Sequence, residues 1–216
     1  ETEIDAVGKL SISDDSDSSV TIGTLEAPQV TIEKSADSGI TPIGGTQTYY
    51  VTIANETENN TDLSMTDPVI VDLIPRGTVV ERSDVQIVSG DGFGANTSGL
   101  TLNPRAVQVM GSGEDNAVLI PLSGALKPGD SVTVQIDIDV TEAVVRYGTS
   151  MANYAFLTSS VSYKETSANP TGASFQDESG NWPFSLENSE QFSGIGDRIT
   201  ALRSMLGEAY GDNGFI

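Results

Sequence analysis

Ser131-Val132-Thr133-Val134-Gln135-Ile136-Asp137-Ile138-Asp139-Val140 alternates aliphatic and polar residues without a break. A strand places successive side chains on opposite faces, so Val132, Val134, Ile136, Ile138 and Val140 turn toward a core while Thr133, Gln135, Asp137 and Asp139 turn toward water. This is the pattern of a half-buried antiparallel strand, launched from the turn Lys127-Pro128-Gly129-Asp130. Related runs recur at Val30–Lys34, Gln47–Ala54, Val69–Ile74, Val85–Val88, Ala106–Met110, Ala117–Leu122 and Tyr154–Tyr163, punctuated by Gly, Pro, Asn and Asp. The cadence predicts an all-β chain with one antiparallel sandwich over residues 30–164.

Composition narrows the chemistry. The 216 residues suffice for one sandwich with appendages or two small domains, and for a real core. There is no Cys and no His, so disulfides, thiol and thioester chemistry, a Ser-His-Asp triad and the commonest zinc ligand are all excluded. An enzyme would have to work with Asp, Glu, Lys, Ser and Tyr, and no recognisable constellation of them is present. Ten Lys and Arg against 31 Asp and Glu give a net charge of −21, which repels a phosphate backbone and an anionic membrane. Nucleic acid is therefore not an expected partner. No apolar run reaches the ~18 residues a membrane helix needs, and neither a charged-then-apolar leader nor a Leu-Pro-x-Thr-Gly signal is visible. The anchor of a wall-attached protein would lie outside these residues.

The two ends differ from the middle. Within residues 1–29, Lys9–Ser13 and Val20–Gly23 read as strands, predicting a hairpin around Asp14-Asp15-Ser16-Asp17-Ser18. Such an extension either pairs with its own sandwich or adds to a sheet edge of a neighbour, as a donor strand does. In residues 165–216, Glu165–Gly180 is rich in Ser, Asn, Gly and Thr, as a linker is. Asp197 is then placed to N-cap one short helix through Leu206, with Ile199, Leu202, Met205 and Leu206 on one side and Gly207 as the stop. That helix should dock on its own sandwich or on a neighbouring subunit.

Two polar residues fall on inward faces. Val30, Ile32 and Lys34 alternate with Gln29, Thr31 and Glu33, so the Lys34 amine points the way two aliphatic side chains point. In Met151-Ala152-Asn153-Tyr154-Ala155-Phe156-Leu157, Asn153 shares a face with Met151, Ala155 and Leu157. The segments Val30-Thr31-Ile32-Glu33-Lys34, Tyr50-Val51-Thr52-Ile53-Ala54-Asn55, Val71-Asp72-Leu73-Ile74-Pro75-Arg76-Gly77 and Gly148-Thr149-Ser150-Met151-Ala152-Asn153-Tyr154-Ala155 together form a wider pattern. Across Val30–Thr158 it resembles the Ig-like conserved-repeat domains of prokaryotic surface proteins, close to the isopeptide-forming domains of fimbrial (pilin) subunits. That family carries a Lys in the first strand, Tyr-x-hydrophobic-x-hydrophobic-x-Asn, Asp-x-hydrophobic-Pro-x-Gly, and Asn-x-Ala in the last strand. The resemblance implies an Ig-like sandwich in which the first and last strands neighbour one another, and an intramolecular isopeptide bond between Lys34 and Asn153 assisted by Asp72.

The chemistry asked of these residues is coherent. Burial lowers a lysine pKa and makes a neutral, nucleophilic amine, while a buried, protonated Asp72 would polarise the carboxamide and shuttle a proton as ammonia leaves. Periodicity does not fix which way Asp72 points, because both faces of Val69–Ile74 are apolar. Glu33 and Glu81 are the substitute acids for an outward Asp72. The plain alternative gives the three residues structural work: a snorkelling Lys34, a strand-ending Asp72, and an Asn153 that satisfies buried backbone groups.

Other candidates are weaker. Asp14, Asp15 and Asp17, and separately Asp137 and Asp139, offer oxygens suited to calcium, though neither set has the spacing of a defined calcium loop. Asn55, Asn59 and Asn96 head glycosylation-type triplets. Tyr49, Tyr50 and Tyr154 suggest either a sugar-stacking surface or core and cross-strand pairs. Two functional classes remain. One is a structural subunit of an extracellular, cell-surface fibre, self-cross-linked and joined to copies of itself through its terminal segments. The other is an adhesin module that binds a host protein or glycan through the loops 55–62 and 90–99.

Overall fold

In the computed structural model, residues 2–4, 10–12, 28–58, 63–89, 96–112, 114–147 and 153–159 are described, with helical residues 197, 198, 200–202, 204 and 205. In chain order the strands are β1 (Thr2–Ile4), β2 (Leu10–Ile12), β3 (Val30–Ala36), β4 (Thr46–Asn55), β5 (Met65–Thr66), β6 (Pro68–Ile74) and β7 (Thr78–Val79). They continue as β8 (Val85–Val88), β9 (Thr101–Leu102), β10 (Gln108–Ser112), β11 (Asp115–Ser123), β12 (Ala125–Leu126), β13 (Ser131–Val140) and β14 (Tyr154–Ser159). One sheet has the order β3-β4-β13-β7, with β8 also on β13; the other has the order β10-β11-β6-β14, with β9 also on β11. The pairings are antiparallel, so the chain forms the all-β antiparallel sandwich expected from its sequence.

β13 is the spine of the first sheet, pairing with β4 from Ser131↔Ala54 to Asp139↔Thr46. Its inward Val132, Val134, Ile136 and Ile138 meet Val51 and Ile53 of β4, and Ile70, Ile74, Val118 and Ile120 of the facing sheet, in one buried cluster. On the outer face the acids are held by cross-strand hydroxyls. Thr48 donates to Asp137 at 2.6 Å and Thr46 to Asp139 at 2.8 Å.

β6 has every residue buried. Ile70, Asp72 and Ile74 face the other sheet, while Val69, Val71 and Leu73 face outward beside Pro121, Leu119 and Ala117. The tail helix bears on this outer side: Arg198 donates to the Ile74 carbonyl and, at 3.0 Å, to Asp115, and Leu202 and Met205 are buried. The tail therefore docks on its own sandwich. Asp197 is itself helical, one step inside the capping position read from sequence; Ile199 and Leu206 lie outside the described side chains.

β2 pairs with β1, Thr2↔Ile12 to Ile4↔Leu10, a pairing the sequence reading did not include. Val20–Gly23, Asp14, Asp15, Asp17 and Asn59 lie outside the described residues. The first and last sandwich strands, β3 and β14, are neighbours across the sandwich: they belong to opposite sheets and approach each other there.

Candidate functional site

Lys34, Asp72 and Asn153 are contributed by three strands. β3 pairs with β4 in the register Val30↔Asn55 to Ala36↔Tyr49, which turns Val30, Ile32 and Lys34 toward the core. β6 turns Asp72 the same way, between Ile70 and Ile74, and the Asp72 side chain is fully buried. The Lys34 amine donates to Asp72 Oδ2 across the gap between the sheets. β14 lies on the other side of β6, with Ala155 opposite Asp72 and Tyr154 opposite Leu73. Continuing that register by one residue sets Asn153 opposite Ile74, on the inward face and diagonal to Asp72.

The Asn153 carboxamide is buried and neither its nitrogen nor its oxygen has a hydrogen-bond partner. The second carboxyl oxygen of Asp72, Oδ1, is likewise buried and unpartnered. Buried polar atoms are satisfied in the great majority of cases, and each exception costs about 1–3 kcal/mol. Three such atoms beside one buried ion pair form a concentration of unspent hydrogen-bonding capacity.

Burial is the largest influence on both ionisable groups. It pushes the Lys34 amine down from its ordinary value, against the opposing pull of Asp72. It pushes the Asp72 carboxyl up, against Lys34 and the more distant Arg198. Both shifts favour the uncharged forms, a neutral amine and a protonated acid. The Tyr49 ring, on the inward face of β4, lies 4.9 Å from the amine and forms one wall of the site. Burial raises the Tyr49 phenol too, followed by the charges of Asp72 and Asp37.

The outward alternative for Asp72 does not arise, and the two substitute acids stand elsewhere. Glu33 is exposed on the opposite face of β3. Glu81 is exposed in a capping box with Asp84 at the short 3-10 turn Arg82–Asp84. Sequence reasoning missed Tyr49 as a neighbour of Lys34, although its alternation with Val51 and Ile53 carried the signal. It also missed the clamp on Asp115. Arg76 donates to Asp115 twice, at 2.8 and 2.7 Å, and Arg198 donates from the tail helix. Burial alone would raise the Asp115 carboxyl, but the hydrogen bonds from Arg76 and Arg198 outweigh it and hold the acid below its ordinary range.

The remaining candidates fare differently. The Asn55 amide nitrogen is buried and donates to the Leu63 and Leu126 carbonyls at 2.8 and 3.0 Å, while its oxygen accepts from Thr57. An amide held in this way organises a turn and leaves no room for a glycan. Asn96 accepts from Ser98 at 2.7 Å and is half-buried. Among the described residues no group of three or more His, Cys, Asp or Glu side chains is placed to hold a metal ion, and no helix is long and apolar enough to cross a membrane.

No family model matches the chain, and no curated protein matches it. Among solved structures it is similar to the full-length major pilin SpaD from Corynebacterium diphtheriae, at 20% identity and a TM-score of 0.40, over 60% of this chain and 30% of that one. It is similar to the major pilin SpaA of the same organism, a structure described as pointing to a modular pilus assembly stabilizing isopeptide bonds, at 17% identity and a TM-score of 0.40, over 61% and 31% of the two chains. It is also similar to AvmM, which catalyzes macrocyclization in alchivemycin A biosynthesis, at 12% identity and a TM-score of 0.32, over 60% and 73%. The chain thus spans less than a third of the length of either pilin.

Proposed function

We propose that the chain is a load-bearing module of an extracellular, cell-surface fibre, locked internally by an isopeptide bond between Lys34 and Asn153. The observation that carries this reading is the buried Lys34–Asp72 pair beside a buried carboxamide that nothing else engages. In the neutral tautomer, Lys34 Nζ attacks Asn153 Cγ while the Asp72 acid donates a hydrogen bond to the amide oxygen. The attack forms the Nζ–Cγ bond, and collapse of the tetrahedral intermediate breaks Cγ–Nδ2. Asp72 takes the proton released by the attacking nitrogen and returns one to the departing nitrogen, so an amine and a carboxamide become one secondary amide and one ammonia. Asp72 is regenerated and no cofactor or oxidant is consumed. The reaction runs once per molecule, which suits a mechanical part and gives no turnover.

A fibre role follows from what the bond would do. It would join strands at the two ends of the sandwich sequence and in opposite sheets, so tension entering at one end would pass to the other without loading the ladder between them. The four motif segments, with a Lys, an Asp and an Asn placed in them as fimbrial domains place theirs, support the same reading.

Intact mass spectrometry of the folded protein tests it. The expected mass is that of the sequence less one ammonia, with the deficit abolished in Lys34→Ala and Asn153→Ala and reduced in Asp72→Ala. The full sequence mass in folded wild-type protein would overturn the bond.

A further inference from the structure

β10 ends its sheet, paired on the β11 side only. Over the outer face beside it runs an open groove of about 510 Å³, floored by Val69, Leu119 and Pro121 and flanked by Arg82 and Arg105. These are two of only ten cations in a chain of net charge −21. Both are exposed, and among the described residues neither guanidinium has a hydrogen-bonding or ion-pairing partner. Glu81 and Asp84, the acids nearest Arg82 in sequence, cap each other's backbone instead. Asp67, at the groove's end, accepts from the Gly124 amide at 2.7 Å. Two unneutralised arginines thus flank an apolar floor and a strand edge.

The same chain carries a segment of matching chemistry. β1 and β2 pair with each other and with no other described strand. A two-stranded hairpin is marginal by itself and gains stability when a sheet extends it. Residues 1–17 hold six acids against one lysine. In an extended strand Glu1, Glu3 and Asp5 share one side and Thr2 and Ile4 the other. A β1 strand laid along β10 can therefore offer carboxylates to Arg82 and Arg105 while main-chain hydrogen bonds continue the ladder. The edge strand β3 suits such a guest poorly, because it exposes Glu33 and would set acid against acid.

We propose that the Arg82–Arg105 groove is the acceptor for the acidic β1–β2 hairpin of a second copy of this chain. This rests on the reading of the chain as a fibre module and supplies its joint. A contact between one face and a different segment is heterologous, so repeating it need not close on itself and generates an open filament.

The test uses the full chain, with sedimentation velocity and intact mass recorded on the same samples. Wild type should self-associate with rising concentration and dissociate as salt is raised, since the contact is an exposed charge pairing. Arg82→Glu with Arg105→Glu should be monomeric, and so should Glu1→Lys with Glu3→Lys and Asp5→Lys. Mixing the two charge-reversed proteins should restore association, a result that misfolding of either variant cannot produce. Undiminished association of the arginine variant, or no association in the mixture, overturns the joint while leaving the fibre reading to the wild-type result. A wild type that stays monomeric at every concentration overturns both the joint and self-polymerisation, and the mass deficit then reports on the internal bond alone.

Discussion

Lys34 and Asp72 sit in strands of different sheets, and their side chains meet in the interior where the two sheets face each other. An ion pair in that position is fastened to both halves of the sandwich. Its fate under substitution separates electrostatics from covalent chemistry.

Removing one partner of a buried pair leaves an uncompensated polar group. In the Asn153→Ala background, where Lys34 keeps a free amine, Asp72→Ala should lower unfolding free energy by about 3–5 kcal/mol, and replacing both partners with apolar residues, Lys34→Met with Asp72→Leu, should recover part of that loss. Asn153→Ala breaks no ion pair, so a large loss there has another origin. Closing a loop of this length by a covalent bond contributes roughly 4–5 kcal/mol by analogy with a disulfide. Urea denaturation of the four proteins gives the comparison. Asn153→Ala within about 1 kcal/mol of wild type would speak against the covalent link.

Acid should release the tail helix before it opens the sandwich. The Asp115 carboxyl is held below its ordinary 3.8, so its contribution is fully present above that value and is lost as pH falls through the lower folded value. Asp72, shifted upward, has the opposite sign and is favoured by proton uptake, so global stability mixes the two. Hydrogen exchange confined to residues 197–205 isolates the first. Protection there should fall below about pH 3.8 and should be absent at neutral pH in Arg198→Ala.

Gly77 and Gly44 have nearly the same backbone, with φ of 80° and 81°. A Cβ on Gly44 meets nothing within 4 Å, whereas one on Gly77 would lie 2.4 Å from the Val144 amide nitrogen and 2.5 Å from its Cα. Gly44→Ala should cost about 1–2 kcal/mol for the left-handed conformation alone. Gly77→Ala should cost several kcal/mol, since backbone must move as well. Equal thermal melts for the two variants would refute the close approach of the 3-10 turn Glu142–Arg146 to this glycine.

Asn55→Ala should cost about 1–3 kcal/mol, because the carbonyls of Leu63 and Leu126 lose their donor. Glycopeptide mapping of protein made in a glycosylating host should find Asn55 unmodified.

Most of the sandwich was legible because β4 and β13 each cover one face and expose the other, which writes a period of two into the chain. β6 carries no such record. It is covered on both sides, so its sequence reads as a continuous apolar run and the direction of Asp72 disappears from it. The short strands β5, β7, β9 and β12, two residues each, are too brief to show periodicity. Arg198 could not be connected with Asp115 by any local pattern, since 83 residues separate them. Lys34 and Asn153 were legible as inward residues because each lies among aliphatic neighbours at the right spacing. What lies opposite each was not, because register between strands is a tertiary property.

The three residues of the proposed bond come from β3, β6 and the residue just before β14, and burial is the largest influence depressing the Lys34 amine. An unfinished or misregistered chain would keep a protonated, unreactive lysine. Release of ammonia by the proposed reaction would therefore be a timestamp: it would record, in each molecule separately and irreversibly, the moment at which the last strand took its place.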